Sequence, residues 1–253
     1  MAYWVLKAIL GPLLRLFFDV RAEGTGHVPP RGPVILASNH ISFADSIFLP
    51  LVLRRRVTFV AKAEYFERRR TAWFFRATGQ IPIDRSGGAA SAAALDAARR
   101  VLAAGGAFGI YPEGTRSPDG CLYRGHTGVA RLALELDVPV VAVGMVGTAQ
   151  ALPIGSLVPR PFVGVRVRFS APVPLDRHAD PSDPRVLRQA TDAIMFEIAA
   201  LSGQTYVDRY VVRERASRSG ERDARAGGTT TGGTTTGGMT TGGMTTGGLG
   251  AGR

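Results

Sequence analysis

Apolar positions fall along this chain in three spacings. Between Tyr3 and Phe18 they run almost unbroken, interrupted by Lys7, Gly11, Pro12 and Arg15. In a helix Lys7, Gly11 and Arg15, recurring every four residues, form one narrow polar stripe. Further on, short apolar runs bounded by turn residues read as strands at residues 20–23, 33–38, 57–61, 80–83, 107–111, 138–143 and 163–169. Helical spacing fills the gaps at 41–53, 64–77, 87–104 and 125–136, and again at 183–201, with 204–215 a candidate extension of that last helix. Strands alternating with helices predict an α/β fold: a mixed, largely parallel sheet covered by helices on both faces, preceded by an N-terminal interfacial amphipathic helix. From Gly227 the chain becomes a Gly/Thr repeat with little apolar surface to offset the entropy of ordering. The organisation expected is a membrane-surface helical segment at 1–19, a domain at 20–215, and a disordered Arg-rich linker and Gly/Thr-rich tail at 216–253.

The first segment suits a membrane surface better than a membrane span. Its helix would be about 24 Å long at ~1.5 Å per residue, against a hydrocarbon core of about 30 Å. Each central cation would also cost roughly 2.5–3.5 kcal/mol on insertion. Charge inside the apolar run and the lack of a small-residue cleavage site also make it a poor secretory signal. Two readings stand: an interfacial helix with Lys7 and Arg15 turned toward head groups, or an ordinary helix packed on its own domain. Pro12 is expected to kink it or split it in two.

Composition sharpens the list of partners. The formal charge is +11, and of the cations only Lys7 and Lys62 are lysines. That balance favours anionic partners, whether acidic lipid, nucleic acid or phosphorylated substrate. No aromatic-basic interleaving or nucleic-acid recognition motif is present, so nucleic acid is not expected. Cys121 is the single cysteine; it excludes an internal disulfide and suits a reducing compartment. His27, His40, His126 and His178 lack metal-ligand spacing, and no metal site is expected.

Two segments carry candidate chemistry. Asn39-His40-Ile41-Ser42-Phe43-Ala44-Asp45 follows a predicted strand directly, at a strand-to-helix turn where α/β proteins place their sites. On one straight helix, His40 and Asp45 would diverge by about 140°. They can meet if His40 precedes the helix and Asp45 opens it. A carboxylate on one imidazole nitrogen then leaves the other to accept a proton from a hydroxyl. Ser42-x-x-Asp45 also reads as a helix-capping pattern. A hydrolase using Ser42 or Ser38 as nucleophile is a further alternative, without a G-x-S-x-G elbow to support it. The second segment, Tyr111-Pro112-Glu113-Gly114-Thr115-Arg116, leaves a predicted strand. Gly114 permits close backbone approach, Thr115 offers a hydroxyl, and Arg116 a fork for phosphate.

Together, H-x-x-x-x-D followed some seventy residues later by P-E-G-T-R resembles the glycerolipid acyltransferase family, whose best-known members are 1-acylglycerol-3-phosphate (lysophosphatidic acid) acyltransferases. Gly79-Gln-Ile-Pro-Ile-Asp84-Arg85 is similar to its G-x-x-x-x-D-R block, and Phe59-Val-Ala-Lys62 to its lysine-bearing strand. Val138-Pro139-Val140-Val141-Ala142-Val143 departs from a fourth block, with Ala142 in place of a second proline. The resemblance covers residues 24–143. It implies His40 as general base and Asp45 as its orienter. Lys62, Arg85 and Arg116 would bind the substrate phosphate, with Glu113, Gly114 and Thr115 shaping that pocket. The implied reaction moves a fatty acyl group from acyl-CoA or acyl carrier protein to the sn-2 hydroxyl of lysophosphatidic acid, giving phosphatidic acid. No cofactor beyond that co-substrate is implied. The expected partners are a lysophospholipid acceptor, an acyl thioester donor and the cytoplasmic face of the cell membrane. Another lysolipid or glycolipid acceptor is the alternative, and a catalytically silent membrane-binding lipid module the alternative of a different class.

Overall fold

The computed structural model describes residues 2–84, 90–156 and 158–211, which fall within one unit, Met1–Val212. Arg85 and the Gly/Thr-rich tail lie outside the described residues. Helix α1 (Ala2–Phe17) leads into strand β1 (Asp19–Glu23), β2 (Val34–Ser38) and helix α2 (Asp45–Val52). Next come β3 (Val57–Thr58), β4 (Val60–Lys62), α3 (Glu64–Glu67), α4 (Arg69–Thr78), β5 (Ile81–Ile83) and α5 (Ala90–Ala103). Strands β6 (Ala107–Ile110) and β7 (Leu122–Tyr123) precede α6 (Gly128–Glu135), β8 (Val140–Val146) and α7 (Thr148–Ala151). Strand β9 (Gly164–Pro172), helix α8 (Pro184–Ser202) and β10 (Tyr206–Val207) finish the domain.

The main sheet has the order β1-β9-β8-β2-β6-β3. Every neighbouring pair is parallel except β8 with β9. Strand β2 lies near its centre, which explains why its residues form an unbroken apolar run. Val34 and Leu36 face one core with Phe48 and Leu49 of α2. Ile35 and Ala37 face the other with Leu102 of α5, Leu132 of α6 and Ile194 of α8. Each such buried side chain contributes roughly 1.5–3 kcal/mol relative to exposure. The α/β fold with helices on both faces is as the sequence pattern predicts.

Four local expectations differ. The predicted helix 64–77 breaks at Arg68, which is extended, into α3 and α4. The predicted strand 57–61 is split into β3 and β4, and the latter pairs with β5 in a separate parallel ladder. Residues 204–211 do not extend α8. Gly203 takes a left-handed φ of 71° at the helix end, a conformation that terminates helices, and Tyr206–Val207 then pairs with β7. Pro12 does not split α1, which is one helix across it. Proline removes one N–H there, while packing around Tyr3, Gly11 and Leu14 holds both halves on the domain.

The orientation of α1 is the larger correction. Lys7 does not turn toward head groups: its ammonium donates to the carbonyls of Pro50, at 2.8 Å, and of Leu53. Those carbonyls lie at the C-terminal end of α2, where helix carbonyls lack partners and a cation is favoured. Gly11, also on the stripe, is buried close to Leu51. Lys7 and Gly11 thus form a docking seam, whereas Arg15, the third member of the stripe, is exposed. The apolar face carrying Trp4, Val5, Ile9, Leu13, Leu16 and Phe17 is turned outward. Among the described residues no helix is long and apolar enough to cross a membrane.

Lys7→Met keeps the apolar stem but leaves two helix-end carbonyls without their donor. It should cost about 1–3 kcal/mol in denaturant unfolding and raise amide exchange across α1. Unchanged exchange in α1 would show that the seam does not depend on Lys7.

Candidate active site

The chain leaves β2 at Ser38 and enters α2 at Asp45, and the intervening turn is organised by one carboxylate. Asp45 is fully buried. Its Oδ2 accepts from His40 Nδ1 at 2.8 Å and from the backbone N–H groups of Ile41 and Ser42, both at 2.9 Å. Its Oδ1 accepts from Thr148 Oγ1. The orienting and capping readings are therefore not alternatives, since one carboxylate closes the turn and holds the imidazole. With Nδ1 engaged, Nε2 is the nitrogen left to act, and it bonds to nothing among the described residues. The His40 side chain retains 17% exposure, enough for a small reacting group to approach. The neighbouring serines are occupied: buried Ser42 Oγ donates to Leu152 O and Ser38 Oγ to Asn39 O. Neither is placed as a nucleophile.

The second segment fastens to the first at His40 itself. Glu113 accepts from His40 N at 3.1 Å and from Tyr123 N at 3.0 Å, while Ser117 N donates to His40 O at 2.7 Å. Both backbone polar groups of His40 are thus held by residues 113–117. The loop can turn because Gly114 has a φ of 71°, a region that side-chain-bearing residues rarely adopt. Burial, with the negative charges of Asp45 and Asp119 adding to it, raises the Glu113 carboxyl to about 7, against the opposing hydrogen bonds from Tyr123 and His40.

Aromatic stacking fixes the ring plane. His40 lies on Tyr111 with centroids 3.8 Å apart and planes at 10°. Tyr111 in turn stacks on Phe59 at 5.5 Å, and its hydroxyl pairs with Ser46 Oγ at 2.8 Å. Burial and the Asp45 charge push the Tyr111 phenol well above its usual range, so it supports the imidazole as a neutral ring.

The remaining predicted residues are spread around this centre. Thr115 and Arg116 follow Gly114 on the same loop, with Arg116 exposed. Lys62 stands exposed at the end of β4, three residues beyond Phe59. Among the described residues neither cation makes an ion pair, and neither hydrogen-bonds to His40. Glu113 is turned inward, onto the His40 and Tyr123 backbone, rather than toward a bound anion. His126 is exposed; its ring stacks on Tyr210 at 4.8 Å and its backbone N–H donates to Pro112 O. Ala142 lies in β8, and its N–H donates to Ser170 Oγ at 3.0 Å, a bond that proline could not make.

Sequence reasoning missed Asn39, Tyr111, Thr148 and Gln204. Asn39 is buried and brackets Met145, donating to its carbonyl at 2.9 Å and accepting from its N–H at 2.7 Å. It also donates to Gln204 Oε1 at 2.7 Å, and Gln204 Nε2 donates to Gly120 O. Asn39 adjoins His40 in the motif, so its polarity beside a buried strand was a visible signal. Gln204, distant in sequence, carried none.

An oriented imidazole with no nucleophile beside it suits direct transfer to a hydroxyl. The family pattern described as Acyltransferase matches residues 19–146, and the chain belongs to that family. Among curated proteins it is similar to the chloroplastic 1-acyl-sn-glycerol-3-phosphate acyltransferase LPAT1 of Arabidopsis thaliana, with 30% identity over 141 residues, 55% of this chain and 39% of that protein. It is likewise similar to the human 1-acyl-sn-glycerol-3-phosphate acyltransferase alpha, at 30% over 135 residues, 52% of this chain and 48% of that one. The matched segment thus spans less than half the length of these two relatives. The crystal structure of PlsC, the 1-acyl-sn-glycerophosphate acyltransferase of Thermotoga maritima, superposes with a TM-score of 0.57 at 26% identity, covering 78% of each chain.

Glu113 supplies a pH test. Its folded value lies above the ordinary carboxylate value of 4.5, so the folded state holds the proton more tightly. The stability it contributes is full below about 4.5 and lost as pH rises through about 7. Glu113→Gln should flatten that part of the melting-temperature profile. Losing one of two buried acceptor contacts should also cost about 1–3 kcal/mol. A profile parallel to the parent between these pH values would exclude Glu113 as the titrating group.

Proposed function

We propose that this protein is an O-acyltransferase that moves a fatty acyl group from a thioester to the sn-2 hydroxyl of lysophosphatidic acid, forming phosphatidic acid. The observation that carries the reading is the His40 imidazole, held at Nδ1 by buried Asp45 with Nε2 open. The family membership and the names of the relatives support it.

In the proposed reaction, His40 Nε2 takes the proton of the acceptor hydroxyl as its oxygen attacks the thioester carbonyl. Collapse of the tetrahedral intermediate breaks the carbon–sulfur bond, and the imidazolium returns the proton to the departing thiolate. The donor is acyl-CoA or acyl carrier protein, with no other cofactor. No acyl-enzyme forms. Asp45 stabilises the imidazolium and fixes its tautomer. Lys62, Arg85 and Arg116 are assigned to the acceptor phosphate, Arg116 by a bidentate fork. Gly114 and Thr115 shape that pocket, and Glu113 serves it indirectly by tying the loop to His40. The outward apolar face of α1, with its neighbouring arginines, supports a peripheral site on the cytoplasmic face of the cell membrane.

His40→Ala should lower kcat about 10²–10⁴-fold in protein that remains folded, though less stable for the lost donor to Asp45, whereas Cys121→Ala should transfer acyl groups normally. Arg116→Ala should mainly raise the acceptor KM. The assay is product formation from lysophosphatidic acid and mixed acyl thioesters, read by lipid mass spectrometry. Near-normal turnover by His40→Ala would refute the mechanism. Equal rates with phosphate-free acceptors would refute the acceptor assignment.

A further inference from the structure

A short segment ahead of β9, Val158 to Phe162, is built unlike an ordinary surface loop. Its apolar side chains point to solvent: Val158 is 74% exposed and Phe162 82%. Its backbone offers water no free donor. Pro159 and Pro161 have no N–H. Val158 N donates to Ser156 Oγ at 3.2 Å, Arg160 N to Ala151 O at 2.8 Å, and Phe162 N to Phe17 O at 2.6 Å. Five successive residues therefore have every backbone N–H either absent or satisfied. A hydrocarbon environment penalises every unpaired backbone donor in a chain that enters it, and this segment has none.

Position and charge point the same way. The bond to Phe17 O seats Phe162 at the last turn of α1, beside the outward Leu13, Leu16 and Phe17. Phe162 has a left-handed φ of 63°, which is unfavourable for a residue with a Cβ, and no burial within the domain offsets it. Around this apolar patch lie exposed arginines. Arg21 and Arg166 are register partners across β1 and β9, and Arg15 and Arg160 flank them in the chain. Among the described residues Arg15, Arg160 and Arg166 make no ion pair. Guanidinium groups bordering an apolar wedge fit anionic head groups above an acyl boundary.

We propose that Val158–Phe162 is a second membrane-insertion element, which enters an anionic bilayer beside α1 and places Val158 and Phe162 among the acyl chains and Arg160 and Arg166 at the phosphates. The proposal rests on the membrane-surface reading of α1. The segment's backbone donors are satisfied by Ser156, Ala151 and Phe17, and the last of these attaches it to α1.

The test is partition of the full chain onto phosphatidylcholine vesicles with and without phosphatidylglycerol. Val158→Ser/Phe162→Ser should weaken binding to the anionic vesicles about tenfold or more without changing melting temperature. Val158→Ser/Phe162→Gly, in which glycine accepts the left-handed φ, should behave alike and guards against misfolding. Leu13→Ser/Leu16→Ser on α1 provides the comparison. Weaker binding in both sets supports the proposal. Parental binding by the loop variants, with loss only in the α1 variant, would overturn it and leave the α1 reading standing. No vesicle binding by the parent chain would remove both.

Discussion

The Asp45 carboxylate is the constraint on which the catalytic turn depends. A fully buried carboxylate is costly unless its oxygens are satisfied, and here the donors come from two separate places in the chain, residues 40–42 and Thr148. Ile41 and Ser42 supply the turn, His40 the reactive ring, and Thr148 the far end of β8. Satisfying the carboxylate therefore forces β2, α2 and the β8–α7 junction into one arrangement. The imidazole is oriented as part of meeting that requirement. Clamping of the His40 backbone by Glu113 and Ser117 adds the 111–117 loop to the same unit.

Motifs of ordinary appearance gain meaning through this coupling. A helix-capping aspartate, a Pro-Glu-Gly turn and a lone histidine are each common. Their hydrogen bonds converge on one residue, and that convergence separates a site from a coincidence. The position of Glu113 also bears on the proposed phosphate pocket. Its carboxylate supports the loop from inside, while Arg116 on the same loop is exposed.

Much of the frame was readable in the chain. The apolar run of β2, buried on both faces, and the helical spacing of α5 and α8 follow directly from periodicity. The His40–Asp45 pairing followed from a rotation argument about where a helix must begin. Other features depended on contacts distant in sequence. The two-residue strands β7 and β10 have too little pattern to detect, and Gln204 reaches Asn39 across 165 residues. The polar stripe of α1 is legible in the chain, but within it Lys7 turns toward the protein while Arg15 stays exposed. Periodicity reveals that a helix has two faces and says nothing about which one meets the protein. Carbonyls at the end of α2 decided it, because they need a donor and Lys7 can reach them.

That attachment has a geometric consequence. Helix α2 is eight residues long, about 12 Å at 1.5 Å per residue. One end carries Asp45 and the other receives Lys7. The outward helix and the imidazole are thus fastened to opposite ends of a single short rod. In the proposed reaction the rod would serve as a ruler, setting how far from α1 an acceptor hydroxyl stands when it meets His40.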